Sequence, residues 1–254
     1  MEFAFYSELP DELKATTAFY GAPSLWQAMA NLFTGGRADP RFDRLQRVLH
    51  SLDGGLAGPR RDCLRKLLQD PSLEPWAKAF VDHAFGDSYA HSYKDDRLYI
   101  TGGSPKHPFR WKNPNYNKEL LYVAPIGHGH KGTAPDEVWR RPELFEAYMT
   151  DLVTTLNRGA LNEDQQQLLQ LVLDEAYALP KGSSGQDEAR KFRTLAVDAF
   201  GYPSDGYDPD KFDALSRAAF AKGPGRSVPF ELPTDDGVDR LIEKIKKACC
   251  VIKN

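Results

Sequence analysis

At 254 residues the chain is long enough to bury a substantial core, as one large domain or two small ones. A formal net charge of −3, with no long acidic or basic block, excludes a global basic surface for nucleic acid. No apolar run approaches the length of a membrane span, and the Met1-Glu-Phe-Ala-Phe-Tyr6 start shows no basic stretch followed by an apolar one.

A soluble chain without a secretory signal or an integral membrane segment is therefore expected. Cys63, Cys249 and Cys250 cannot all pair, and the adjacent two are poorly placed to join each other. A disulfide is not expected. Synthesis in a reducing compartment follows, with non-classical secretion left open.

In chain order, Pro10-Asp11 precedes a helical pattern from Leu13 to Phe19, and Pro23-Ser24 opens another that Gly35-Gly36 stops after Phe33. Asp39-Pro40 starts a third, with Phe42, Leu45, Val48 and Leu49 at amphipathic spacing. Gly54-Gly55 and Gly58-Pro59 break it, and a helix over Arg61–Gln69 follows. The next begins near Ser72, carries Pro75 in its first turn and runs to about Ser92. Gly86 inside it costs roughly 1 kcal/mol relative to alanine, which points to close approach of a metal or a neighbouring helix. Residues 94–142 are rich in proline and glycine. There Leu98–Ile100 and Leu120–Val123 are expected to pair as a small hairpin around a loop at 105–114. Helices resume at 142–157, 162–179, 186–200, 209–222 and 235–250. The expected fold is one mainly α domain over 1–254: a helical part to 93, an irregular insertion over 94–142 and C-terminal helices from 143.

The chemistry concentrates in His83-Ala-Phe-Gly-Asp87-Ser-Tyr-Ala-His91. On a helix each four-residue step turns the side chain by roughly 40° and climbs about 6 Å, so His83, Asp87 and His91 lie along one stripe. Imidazole and carboxylate are zinc ligands in hydrolytic sites. Five of the six histidines fall between His83 and His130. In Gly127-His128-Gly129-His130 the glycines let a tight loop present imidazoles. An unliganded carboxylate, Asp11 or Asp136, could act as base or orient water, although each also fits a helix cap. His91 equally suits the negative end of its helix. His50 and His107 have no partner in sequence and are expected to be structural. Trp76, Tyr89, Tyr93, Trp111 and Trp139 are expected to pack in core and loops. The final Lys244-Ile-Lys-Lys-Ala-Cys-Cys stretch reads as an ordinary amphipathic helix, with a membrane-surface role as its alternative.

His83-Ala-Phe-Gly-Asp87 resembles the H-x-x-x-D element of the zinc-dependent phospholipase C and S1/P1 nuclease superfamily, with His91 as the histidine that follows. Pro10-Asp11-Glu12 and Gly127-His128 through Pro135-Asp136 resemble further segments of bacterial relatives. The resemblance implies a phospholipase C-like helical bundle binding one to three zinc ions, or another divalent metal. It implies His83, Asp87, His91, His128 and His130 as ligands and a phosphoester substrate, phospholipid included. The superfamily's H-x-x-x-E pair has no counterpart here, and its N-terminal tryptophan ligand is replaced by Met1. The alternative is thus a catalytically inactive, metal-stabilised interaction or effector module. Amide hydrolysis by the same zinc chemistry lacks an H-E-x-x-H motif.

Overall fold

Helix α3, Pro75–Ala90, is the apolar axis about which the other elements are arranged. The computed structural model describes residues 40–104, 107–123, 137–200 and 233–249. Among them are seven α-helices: α1 Pro40–Leu49, α2 Ala57–Leu68, α3, α4 Pro142–Asn157, α5 Glu163–Ala178, α6 Gly185–Phe200 and α7 Asp235–Cys249. The fold is mainly α, as the hydrophobic periodicity predicts. The helices expected at 13–19, 24–33 and 209–222 lie outside the described residues.

Local sequence explains most boundaries. Pro75 and Pro142 open α3 and α4, where a missing N–H leaves no helical bond unmade. Asn162 caps α5: its side chain accepts from the Gln165 N–H at 2.8 Å, and Gln165 Oε1 accepts from the Asn162 N–H at 3.0 Å. Two adjacent carboxylates, Asp187 and Glu188, sit in the first turn of α6, where the helix dipole favours them.

Packing then assembles the core. In α3 Ala77, Ala79, Phe80, Val81, Ala84, Phe85 and Tyr89 are buried, so nearly its whole circumference is covered. Helices α1, α2 and α4 pack against it, and α7 lies on α1 and α2. Val238, Leu241, Ile242 and Ile245 of α7 join Leu45, Val48 and Leu49 of α1 in one apolar cluster. The apolar face of the last helix is thus covered by the core rather than left for a membrane surface. No helix among the described residues is long and apolar enough to cross a membrane. At Gly86 an added Cβ would lie 3.3 Å from the Tyr148 ring. The close approach that this glycine allows is that of α4.

The strands correct the expected pairing. β1, Ser92–Lys94, pairs antiparallel with β4, Glu119–Leu121, while β2, Tyr99–Ser104, pairs with β3, His107–Lys112. Leu98–Ile100 therefore does not meet Leu120–Val123, and most of the expected loop is strand. Gly102, Gly103 and Pro108 hid this ribbon, because such residues are depleted in strands. In a two-stranded sheet both strands are edges, where proline is tolerated.

A second correction is covalent. Cys63 of α2 and Cys249 of α7 form a disulfide, with Cα atoms 5.3 Å apart across 186 positions of sequence. Only the packing of α7 on α2 brings them together, so spacing alone could not reveal the pair. The bond is at odds with the reducing compartment expected above, since disulfides persist where conditions are oxidising.

Candidate metal centre

Two elements build the site. Helix α3 supplies His83 and Asp87 from successive turns, and the segment leaving α1 supplies His50. His50 side-chain Nδ1 lies 2.8 Å from Asp87 Oδ2 and 3.1 Å from His83 Nε2. His83 Nε2 is 3.3 Å from the same carboxylate oxygen. The two imidazoles meet edge to face, with centroids 4.9 Å apart. Among the described residues this is the one trio of histidine, cysteine or acidic side chains whose donor atoms converge in this way.

Those three separations carry chemical information. Ligand atoms about 2.0 Å from a tetrahedral zinc stand about 3.3 Å from one another. The trio is therefore close to one face of such a tetrahedron. Protons alone satisfy the triangle poorly. If both imidazole nitrogens donate to the carboxylate oxygen, their two hydrogens crowd onto one acceptor with the nitrogens only 3.1 Å apart. If one nitrogen instead accepts, it opposes the carboxylate lone pairs. A cation at the centre makes all three atoms acceptors and removes the conflict.

The surrounding histidines stabilise the charged form of Asp87. Burial on its own would raise the Asp87 carboxyl; the charges of His83 and His91, with hydrogen bonds from His50 and His83, hold it well below the usual carboxylate range. Asp82, on the neighbouring position of α3, behaves oppositely. Burial pushes its carboxyl up to about 6, against the opposing Tyr148 hydrogen bond and the charge of His83. Tyr148 Oη donates to Asp82 Oδ1 at 3.2 Å.

The placement of His50 is over-determined by its neighbours. Its carbonyl accepts from His91 Nδ1 at 3.0 Å, which places a proton on Nδ1 of that ring. Ser51 adopts φ +49°, and its hydroxyl donates to the Ala84 carbonyl of α3 at 2.7 Å. Arg60 donates to the Val48 carbonyl at 2.5 Å. Burial lowers the Arg60 guanidinium to about 10, with Asp53 opposing the shift. The far end of α3 is held too. Arg61 donates to the Ser88 carbonyl at 2.9 Å, and Arg141 to those of Ala90 and Ser92 at 2.8 and 2.7 Å. Guanidinium groups thus occupy the carbonyls at the negative end of the helix, and His91 is its C-cap residue.

Of the expected ligands, His83 and Asp87 come together in the trio. His91 is adjacent, with Nδ1 at 3.6 Å from Asp87 Oδ2, but that nitrogen faces the His50 carbonyl and is not the one available to a metal. His128, His130, Asp11 and Asp136 lie outside the described residues. His107 begins β3. His50, expected to be structural, is a member of the trio. A signal was present: it sits in Val48-Leu49-His50-Ser51-Leu52, and a histidine in an apolar run must find a buried polar partner.

The donor set fits a divalent cation, with His50 Nδ1, His83 Nε2 and Asp87 Oδ2 as the atoms that would hold it. His50 is fully buried, whereas the side chains of His83 and Asp87 retain 11% and 16% exposure, so any access lies on their side. Comparison of the chain with protein-family models, with curated proteins and with solved structures finds no match.

Proposed function

We propose that the chain is a metal-dependent hydrolase of phosphoric esters, using zinc and resembling zinc-dependent phospholipase C. The observation that carries this reading is the triangle of His50, His83 and Asp87 donor atoms, at 2.8 to 3.3 Å from one another. It combines with the H-x-x-x-D motif that supplies two of the three. Zinc bound there would lower the pKa of a coordinated water to about 7 and polarise a phosphoryl oxygen. The protein's own part is to keep the donors in register. Helical spacing fixes His83 against Asp87, and the His91, Ser51 and Arg60 hydrogen bonds fix the backbone around His50. His128 and His130 are proposed as further ligands, and Asp11 or Asp136 as the base. The substrate class is a phosphodiester, phospholipids included.

The test is turnover of a chromogenic phosphodiester by zinc-loaded protein, beside His83→Ala and Asp87→Ala. Zinc-dependent turnover lost in both variants is expected. A metal-free wild type whose stability ignores a chelator contradicts the reading.

The full burial of His50 favours a second reading, since structural metal sites are closed whereas catalytic ones keep an open position. In it the cation stabilises an interaction or effector module. Bound zinc with no turnover of any ester selects this reading.

A further inference from the structure

One ligand of the trio does not belong to α3. His50 hangs from α1, and α1 packs against both α3 and α7. Helix α7 sits far along the chain, yet it places Val238, Leu241, Ile242 and Ile245 in the same apolar cluster as Leu45, Val48 and Leu49 of α1. Its surface ion pairs are partly exposed, Lys244 with Asp70 at 2.7 Å and Arg44 with Glu243 at 3.6 Å, and such pairs hold little. Beside that apolar packing, the covalent tether is Cys249, the last residue of α7, bonded to Cys63 of α2. Both cysteines are only partly buried.

We propose that the Cys63–Cys249 disulfide is a thiol-controlled latch on the cation site. Oxidised, it seats α7 against α1 and keeps His50 within bonding range of His83 and Asp87. Reduced, it lets α7 loosen, the support behind α1 weakens, and the cation is held less tightly. This rests on the metal-site reading above and adds its regulation. The reductant is a dithiol. One of its thiolates attacks a cystine sulfur, forming a mixed disulfide and releasing one cysteine as thiolate. Its second thiol then attacks the mixed disulfide and frees the other cysteine. Two electrons and two protons pass to the cysteine pair, and the reductant leaves as its own disulfide. A chain made under reducing conditions would thus carry a loose site that tightens on entering oxidising surroundings.

The test compares zinc affinity, by competition with a chromogenic chelator, between an oxidised Cys250→Ala chain and a Cys63→Ala/Cys249→Ala/Cys250→Ala chain. The triple variant has no thiol that could bind metal itself. Zinc is expected to bind about tenfold more weakly without the bond, the size of effect that supporting groups around metal ligands have. Should the triple variant unfold, the Cys250→Ala chain alone suffices. Release of preloaded zinc should accelerate on adding a phosphine reductant and slow again after reoxidation. Tight zinc binding that is the same with and without the bond, or release indifferent to the reductant, overturns the latch and leaves the metal site standing. Absence of zinc binding even in the oxidised chain overturns both.

Discussion

The α3 half of the proposed cation site and the His50 half are held in place by different physics. His83 and Asp87 need only a helix: their spacing of four fixes them on one stripe whatever surrounds them. His50 depends on tertiary structure at every point. A left-handed Ser51 turns the chain, the hydroxyl of Ser51 binds the Ala84 carbonyl, Arg60 binds the Val48 carbonyl, and His91 binds the carbonyl of His50 itself. A site made half by local and half by long-range constraint has ligands that respond differently to perturbation elsewhere in the molecule.

The largest expected effect removes that contrast. His50→Ala and Asp87→Ala should each sharply weaken zinc binding, by equilibrium dialysis, because each removes one corner of the trio. Retention of zinc by His50→Ala would reduce the site to its α3 half. A sharper probe is Asp82→Asn, beside the site but outside the trio. The Asp82 carboxyl is raised to about 6, so the native state carries a buried charge above that pH and takes up a proton below it. The wild type therefore loses stability as pH rises through about 6. Asparagine removes that loss, stabilising the protein by up to about 3 kcal/mol at pH 8 and by little at pH 4. Denaturant titration at the two pH values checks this; a gain independent of pH contradicts it.

The smallest effect concerns the packing that carries the α3 stripe. Gly86→Ala gains about 1 kcal/mol of helix propensity but presses a methyl carbon to 3.3 Å from the Tyr148 ring. The Tyr148 hydroxyl is anchored on Asp82, so the ring yields little. A net loss of about 1 kcal/mol is expected, with zinc affinity unchanged. A stabilised Gly86→Ala would mean that α4 adjusts freely against the stripe.

The same division explains what the sequence could tell. The helices at 142–157, 162–179 and 235–250 were legible to within a residue or so, because proline openings, the Asn162 cap and apolar spacing are all local. The mainly α class followed from them. His83 and Asp87 were legible for the same reason. His50 was not, since its partner stands 37 positions away, and neither was the disulfide, whose halves stand 186 apart. The β2–β3 ribbon was hidden by its own composition. Its glycines and proline read as loop, while the leucines at 120 and 121 drew attention to a strand that pairs elsewhere.

The most direct measurement of the central claim is anomalous diffraction at the zinc edge from crystals of the oxidised chain grown with zinc. One anomalous peak is predicted about 2.0–2.2 Å from His50 Nδ1, His83 Nε2 and Asp87 Oδ2 together. Zinc bound only at other residues, or a trio that stays hydrogen-bonded without a peak at saturating zinc, would contradict it.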